Sequence, residues 1–140
     1  MKIEQIERIT SRVVKLNYPD IYSEALDVLN VPKLTDWNLV KPIYDDLFNA
    51  SENPHEEMHY FIGVLFKVFA PLTLAASLKL PVGLRDVVAE AIGYVSPEMV
   101  NYHSNILKPY LKNRRFSKRV EDEATRIINE YSNQDKNGRQ

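Results

Sequence analysis

The nineteen residues from Tyr60 to Leu78 carry one charge, Lys67, and this run constrains the fold more than any other. A stretch so apolar is either sealed inside protein or set in lipid. As a membrane span it fails on energy, because about ten large apolar residues at roughly -0.3 to -0.6 kcal/mol each only balance a central lysine at about +2.5 to +3.5 kcal/mol. Pro71 also splits the run into pieces shorter than the ~20 residues a span needs. The run therefore predicts a pair of buried central helices and no membrane association.

Around that centre the apolar residues recur at helical spacing, and the prolines fall at the edges of the periodic segments, where they cost least. Ile3, Ile6, Ile9, Val13 and Leu16 form a first stripe; Ile21, Ala25, Leu26 and Leu29 form a second beginning after Pro19. A third segment runs near Asp36 to Phe48 with Pro42 in its first turn. Asn53, Pro54 and Glu56 read as a capping box opening a fourth helix that runs to Pro71. Leu84 to Gly93 is a fifth, Ser96-Pro97-Glu98 caps a sixth that Pro109 bends or ends, and Ser117 reads as the cap of a seventh. No five-residue stretch alternates apolar and polar between turn signals, so no strand is predicted. The expected fold is all-α, an irregular bundle of six to seven short helices in a single domain over residues 1–132, with 133–140 a flexible polar tail.

The chain has no cysteine, which excludes a disulfide framework, thiolate metal sites and a cysteine nucleophile and fits a reducing, cytoplasmic setting. Met1 to Leu16 is interrupted by charge every second or third residue, unlike a signal peptide. The net charge is -1, yet residues 17–66 hold nine acidic and two basic side chains, whereas Lys108 to Arg119 holds six basic and no acidic ones. A basic run of that density suits an anionic partner; it equally suits a solvated helix end facing its own carbonyls.

Catalytic patterns are sparse. His55-Glu56-Glu57-Met58-His59 spells H-E-x-x-H, in which two imidazoles one turn apart hold zinc and the glutamate activates water. Glu57 is charged where a buried active-site helix carries an apolar residue, His55 follows directly on Pro54, and no further ligand follows at a diagnostic spacing, so a zinc metallohydrolase is a remote alternative. No serine sits in a G-x-S-x-G elbow and no phosphate-binding glycine loop occurs. The adjacent pairs Asp45-Asp46 and Glu121-Asp122-Glu123 diverge around a helix and face solvent. The reading is non-enzymatic, with no cofactor and no metal.

Organisation and charge agree in residues 84–111. Val88-Ala89-Glu90-Ala91-Ile92-Gly93 followed by Ser96-Pro97-Glu98-Met99-Val100-Asn101-Tyr102-His103 resembles the A-x-x-x-G then S-x-x-T-V-x-x-H pattern of helix-turn-helix DNA-binding regulators, including the quorum-sensing type. The turn is one residue longer, Met99 stands at the threonine position, and Pro109 falls where those domains carry lysine. The resemblance implies a second helix that enters the major groove; a generic helical hairpin is the other reading. Helical steps put Glu98, Asn101, Asn105, Lys108 and Lys112 on one polar stripe, and Met99, Val100, His103, Ile106, Leu107, Tyr110 and Leu111 on the inner side. Asparagine amides can bond adenine in the major groove, while the cations beyond contact phosphate. The candidate nucleic-acid-binding residues are thus Asn101, Asn105, Lys108, Lys112, Arg114, Arg115, Lys118 and Arg119. A homodimer would suit a palindromic site, although no heptad run marks an interface. The competing class is a small helical adaptor or inhibitor that binds a partner protein, suggested by eight tyrosines and the acidic middle.

Overall fold

A computed structural model describes residues 1–76, 78–93 and 95–135. The fold is all-α: the described residues form eight α-helices and three 3-10 turns, without a strand. No helix among them is long and apolar enough to cross a membrane. Where the sequence suggests one domain through residue 132, the contacts fall into two units, Met1–Val31 and Pro32–Gln140.

The first unit is a helix pair, α1 (Ile3–Asn17) and α2 (Pro19–Leu29), joined at Tyr18. Pro19 occupies the first position of α2, where its missing N–H is not needed. Val14 and Tyr22 are partly covered and Lys15 lies over the Tyr22 ring, but no residue of either helix is buried.

The second unit is built around α4 (Met58–Phe69), in which ten residues between Met58 and Phe69, Gly63 among them, are buried on every side. A helix apolar all round must be surrounded, and α3 (Val40–Ala50), α5 (Pro71–Ala76), α7 (Pro97–Tyr110) and α8 (Arg114–Tyr131) all pack on it. Of the predicted buried pair only α4 is central: the run breaks at Ala70 and Pro71 as expected, but the short α5 buries Pro71 alone and leaves Ala75 and Ala76 exposed. Lys67, the charge in the run, reaches the edge and pairs with Glu121 of α8 at 3.8 Å. Helix α8 buries Val120, Ala124, Ile127 and Tyr131 at steps of four and three. Helix α6 (Leu84–Ile92) lies against α3 and α7.

Two predicted helix starts are corrected. Asn53-Pro54-Glu56 does not cap α4; it forms a 3-10 turn over Pro54–Glu56 without a side-chain cap bond. Glu57, the residue that precedes α4, accepts from Ser51 Oγ at 2.8 Å. Asn113, not Ser117, caps α8, its Oδ1 accepting from the N–H groups of Arg115 and Phe116. Of the residues expected as a tail, 133–135 are described, and Ser132–Gln134 forms a 3-10 turn that leads into Asp135. That side chain is buried and accepts from the N–H and hydroxyl of Thr35 and from the N–H of Asp36 at 2.8 Å. The remainder of that tail, residues 136–140, lies outside the described residues. The acidic pairs are engaged rather than merely solvated: Asp46 accepts from the Tyr131 hydroxyl and Asp45 from Lys41. Burial, reinforced by Asp46, pushes the Tyr131 hydroxyl up to about 12.

Candidate nucleic-acid interface

Helix α6 ends at Gly93, whose φ of +88° is left-handed and strained for any residue with a Cβ. The chain then turns, and Ser96 opens α7 by accepting from the Met99 N–H at 3.3 Å, with Pro97 at the first helical position and Glu98 in the first turn. Two contacts seat α6 and α7 on the body. Lys41 Nζ donates to the Ala91 carbonyl at 3.0 Å, tying the last turn of α6 to α3. Leu107 of α7 presses against Gly63 of α4, where a Cβ would come within 2.9 Å of Leu107 Cδ1.

With Val100 and Leu107 buried on the inner side, α7 turns Glu98, Asn101, Tyr102, Asn105 and Lys108 to solvent. Met99 and Tyr110, expected inward, are exposed. His103 is half-buried, its ring against Tyr102. Pro109 falls one residue before the end of α7; Lys112 N–H bonds to the Pro109 carbonyl and Asn113 N–H to that of Tyr110, closing a tight corner into α8. Lys112, Arg114 and Arg115 sit at this corner, all exposed.

Five of the eight predicted residues line one of two clefts, while Asn105, Lys112 and Arg114 are exposed and line neither. Asn101 and Lys108 line a cleft of about 730 Å³ together with Lys79, Arg85, Asp86, Thr73 and Ser104. Arg115, Lys118 and Arg119 line a separate cleft of about 550 Å³ with Glu57, Tyr60, Asp122 and Glu123. Their electrostatics differ. In the second cleft Arg119 pairs with Glu57 at 2.9 Å and lies 3.7 Å from the Tyr60 ring centroid, and Lys118 pairs with Asp122 at 3.1 Å. Burial raises the Glu57 carboxyl, but bonds from Ser51 and Arg119 outweigh it and hold the group below its ordinary range. By contrast Lys108, Lys112, Arg114 and Arg115 have no carboxylate within ion-pair distance among the described residues, so their fields are not locally cancelled. Lys79 and Arg85 join the first cleft from outside the basic run; each is a lone cation in sequence, so charge density gives no signal for them.

The H-E-x-x-H residues do not share one helix. His55 lies in the 3-10 turn with its ring 5.6 Å from Phe48, whereas His59 in α4 packs between Tyr110 at 4.6 Å and Phe116 at 5.7 Å. The two imidazoles thus pack among different aromatic partners, and no group of three or more metal-ligating side chains is found among the described residues. Burial lowers both His59 and His103, with Glu57 opposing the shift at His59 and His59 adding to it at His103. No family model, curated protein or solved structure matches this chain.

Proposed function

We propose that this protein is a non-enzymatic regulator that binds nucleic acid with the outer face of α7 and the basic corner leading into α8. The observation that carries the reading is an exposed Asn101–Asn105–Lys108 face followed along the chain by exposed Lys112, Arg114 and Arg115, with Lys108 and these three making four cations without carboxylate partners among the described residues. An α-helix about 10–12 Å across fits a major groove about 12 Å wide. Asparagine amides at two positions one turn apart can read adenine edges, while Lys108, Lys112, Arg114 and Arg115 take phosphates and fix the register. Glu98 at the leading end disfavours phosphate and favours a cytosine amino group. Lys118 and Arg119, held by Asp122 and Glu57, contribute less.

The test is a salt titration of binding to duplex DNA. With four phosphate contacts, log affinity falls against log salt with a slope of about -3.6, and Arg114→Ala with Arg115→Ala flattens it by about 1.8. Asn101→Ala with Asn105→Ala relaxes sequence preference at unchanged slope. A flat salt dependence for DNA and RNA alike refutes the reading and transfers it to the adaptor class, a helical protein that binds a partner protein.

A further inference from the structure

The N-terminal unit carries an apolar surface that it cannot bury on its own. Ile3, Ile6, Ile9, Val13 and Leu16 recur at helical steps along α1, and even the best covered of them, Ile6 and Val13, remain 47 % exposed. Helix α2 adds Ile21, Leu26, Val28 and Leu29, from 40 % to 62 % exposed. Isolated helices of 15 and 11 residues are marginal in water, because propagation over so few turns barely repays nucleation. Their stability has to come from a surface packed on the stripe.

We propose that the cover is a second copy of the same unit, paired about a two-fold axis so that α1 of each copy lies against α2 of the other. Charge supports this choice of occupant. Helix α1 with its cap carries Lys2, Arg8, Arg12 and Lys15 against Glu4 and Glu7, whereas α2 carries Asp20, Glu24 and Asp27 and no cation. A unit with one basic and one acidic helix is self-complementary under two-fold pairing, since each unlike pair forms twice. The area is also sufficient. Nine apolar side chains about half exposed supply on the order of 800 Å² from each copy, or roughly 1,600 Å² across the two, against the ~1,200 Å² at the lower end of stable interfaces. An anionic lipid surface, the other common cover for a basic amphipathic helix, would meet the three carboxylates of α2, and neither helix carries the tryptophan or phenylalanine typical of such anchors.

The experiment uses the full chain in sedimentation velocity and light scattering. The expected wild-type species is a dimer of the 16.2 kDa chain. Ile9→Asp with Val13→Asp weakens dimerisation by about 100-fold or more. Two charge variants supply the sharper test. Asp20→Lys/Glu24→Lys/Asp27→Lys makes both helices basic, and Arg8→Glu/Arg12→Glu/Lys15→Glu makes both acidic. Each alone is a monomer, and an equimolar mixture forms a heterodimer. That recovery requires both units to be helical, so it separates lost pairing from lost folding. A wild-type monomer up to about 100 μM overturns the proposal, that being weaker than a specific interface of this size. So does a monomer that co-sediments with phosphatidylcholine–phosphatidylserine vesicles, or an open series of larger species. Absence of nucleic-acid binding leaves this test unaffected, because no residue of the N-terminal unit belongs to the α7 face.

Discussion

Replacing Gly63 with alanine tests how α7 is seated, and its cost can be worked from the contact. The new Cβ would lie 2.9 Å from Cδ1 and 3.3 Å from Cδ2 of Leu107, closer than carbon atoms approach without displacement. Leu107 is fully buried and cannot swing its methyls into water. Relief therefore takes an off-rotamer side chain, at about 0.5–1.5 kcal/mol, or a shift of α7 with total overpacking of about 1–3 kcal/mol. Opposing this, alanine in a helix interior is favoured over glycine by about 0.5–1 kcal/mol. The balance is a loss of about 1 kcal/mol, or ~4–8 °C in melting temperature for a unit of roughly 100 residues. Urea and thermal unfolding measure it. Leu107→Ala alone costs about 2–5 kcal/mol by leaving a cavity, and adding Gly63→Ala then places a methyl in that space. The double variant is accordingly less destabilised than the sum of the singles, by about 1–2 kcal/mol. Strict additivity, or a Gly63→Ala protein more stable than wild type, refutes the steric argument.

Two further outcomes follow from buried groups. Asp135→Ala leaves the N–H groups of Thr35 and Asp36 without their carboxylate acceptor and lowers stability by about 2–3 kcal/mol, read as a reduced urea midpoint; an unchanged midpoint refutes the anchoring role. His59 and His103 are held neutral chiefly by burial, so their contribution is fully present above the ordinary value of about 6.5 and is lost as pH falls below it through the lowered values. Melting temperature should drop as pH falls below about 6.5, and His59→Gln with His103→Gln should flatten that drop; an equally steep drop in the double variant would show that other groups drive it.

Much of this architecture is legible in the residues. The stripes of α1, α2 and α8, the break at Pro71 and the Ser96-Pro97-Glu98 start are all set by interactions within a few positions of chain, which periodicity and capping rules describe. What escapes is decided by distant partners. Asn53-Pro54-Glu56 satisfies a local capping rule, yet it closes only a 3-10 turn, and α4 starts after Glu57, whose carboxylate is bonded by Ser51 and by Arg119, sixty-two positions on. Ser117 and Asn113 are both good caps, and the choice between them follows from the turn that closes after Pro109. The candidate interface shows the same division. Helical spacing suffices to turn Asn101, Asn105 and Lys108 outward on α7. The fate of the six clustered cations depends on the corner at Lys112–Asn113, which puts Arg119 beside Tyr60 while leaving Arg114 without a carboxylate partner among the described residues.

The bonds from Asp135 to Thr35 and Asp36 join the start of the C-terminal body to its end across about a hundred residues of chain. Ends held that close can be stitched by a short linker, and Val82, 98 % exposed, offers a place to cut new ones. A C-terminal unit rearranged in this way should keep its helices in place, whereas mechanical tension applied at residues 32 and 135 would load this carboxylate clasp before the α4-centred core.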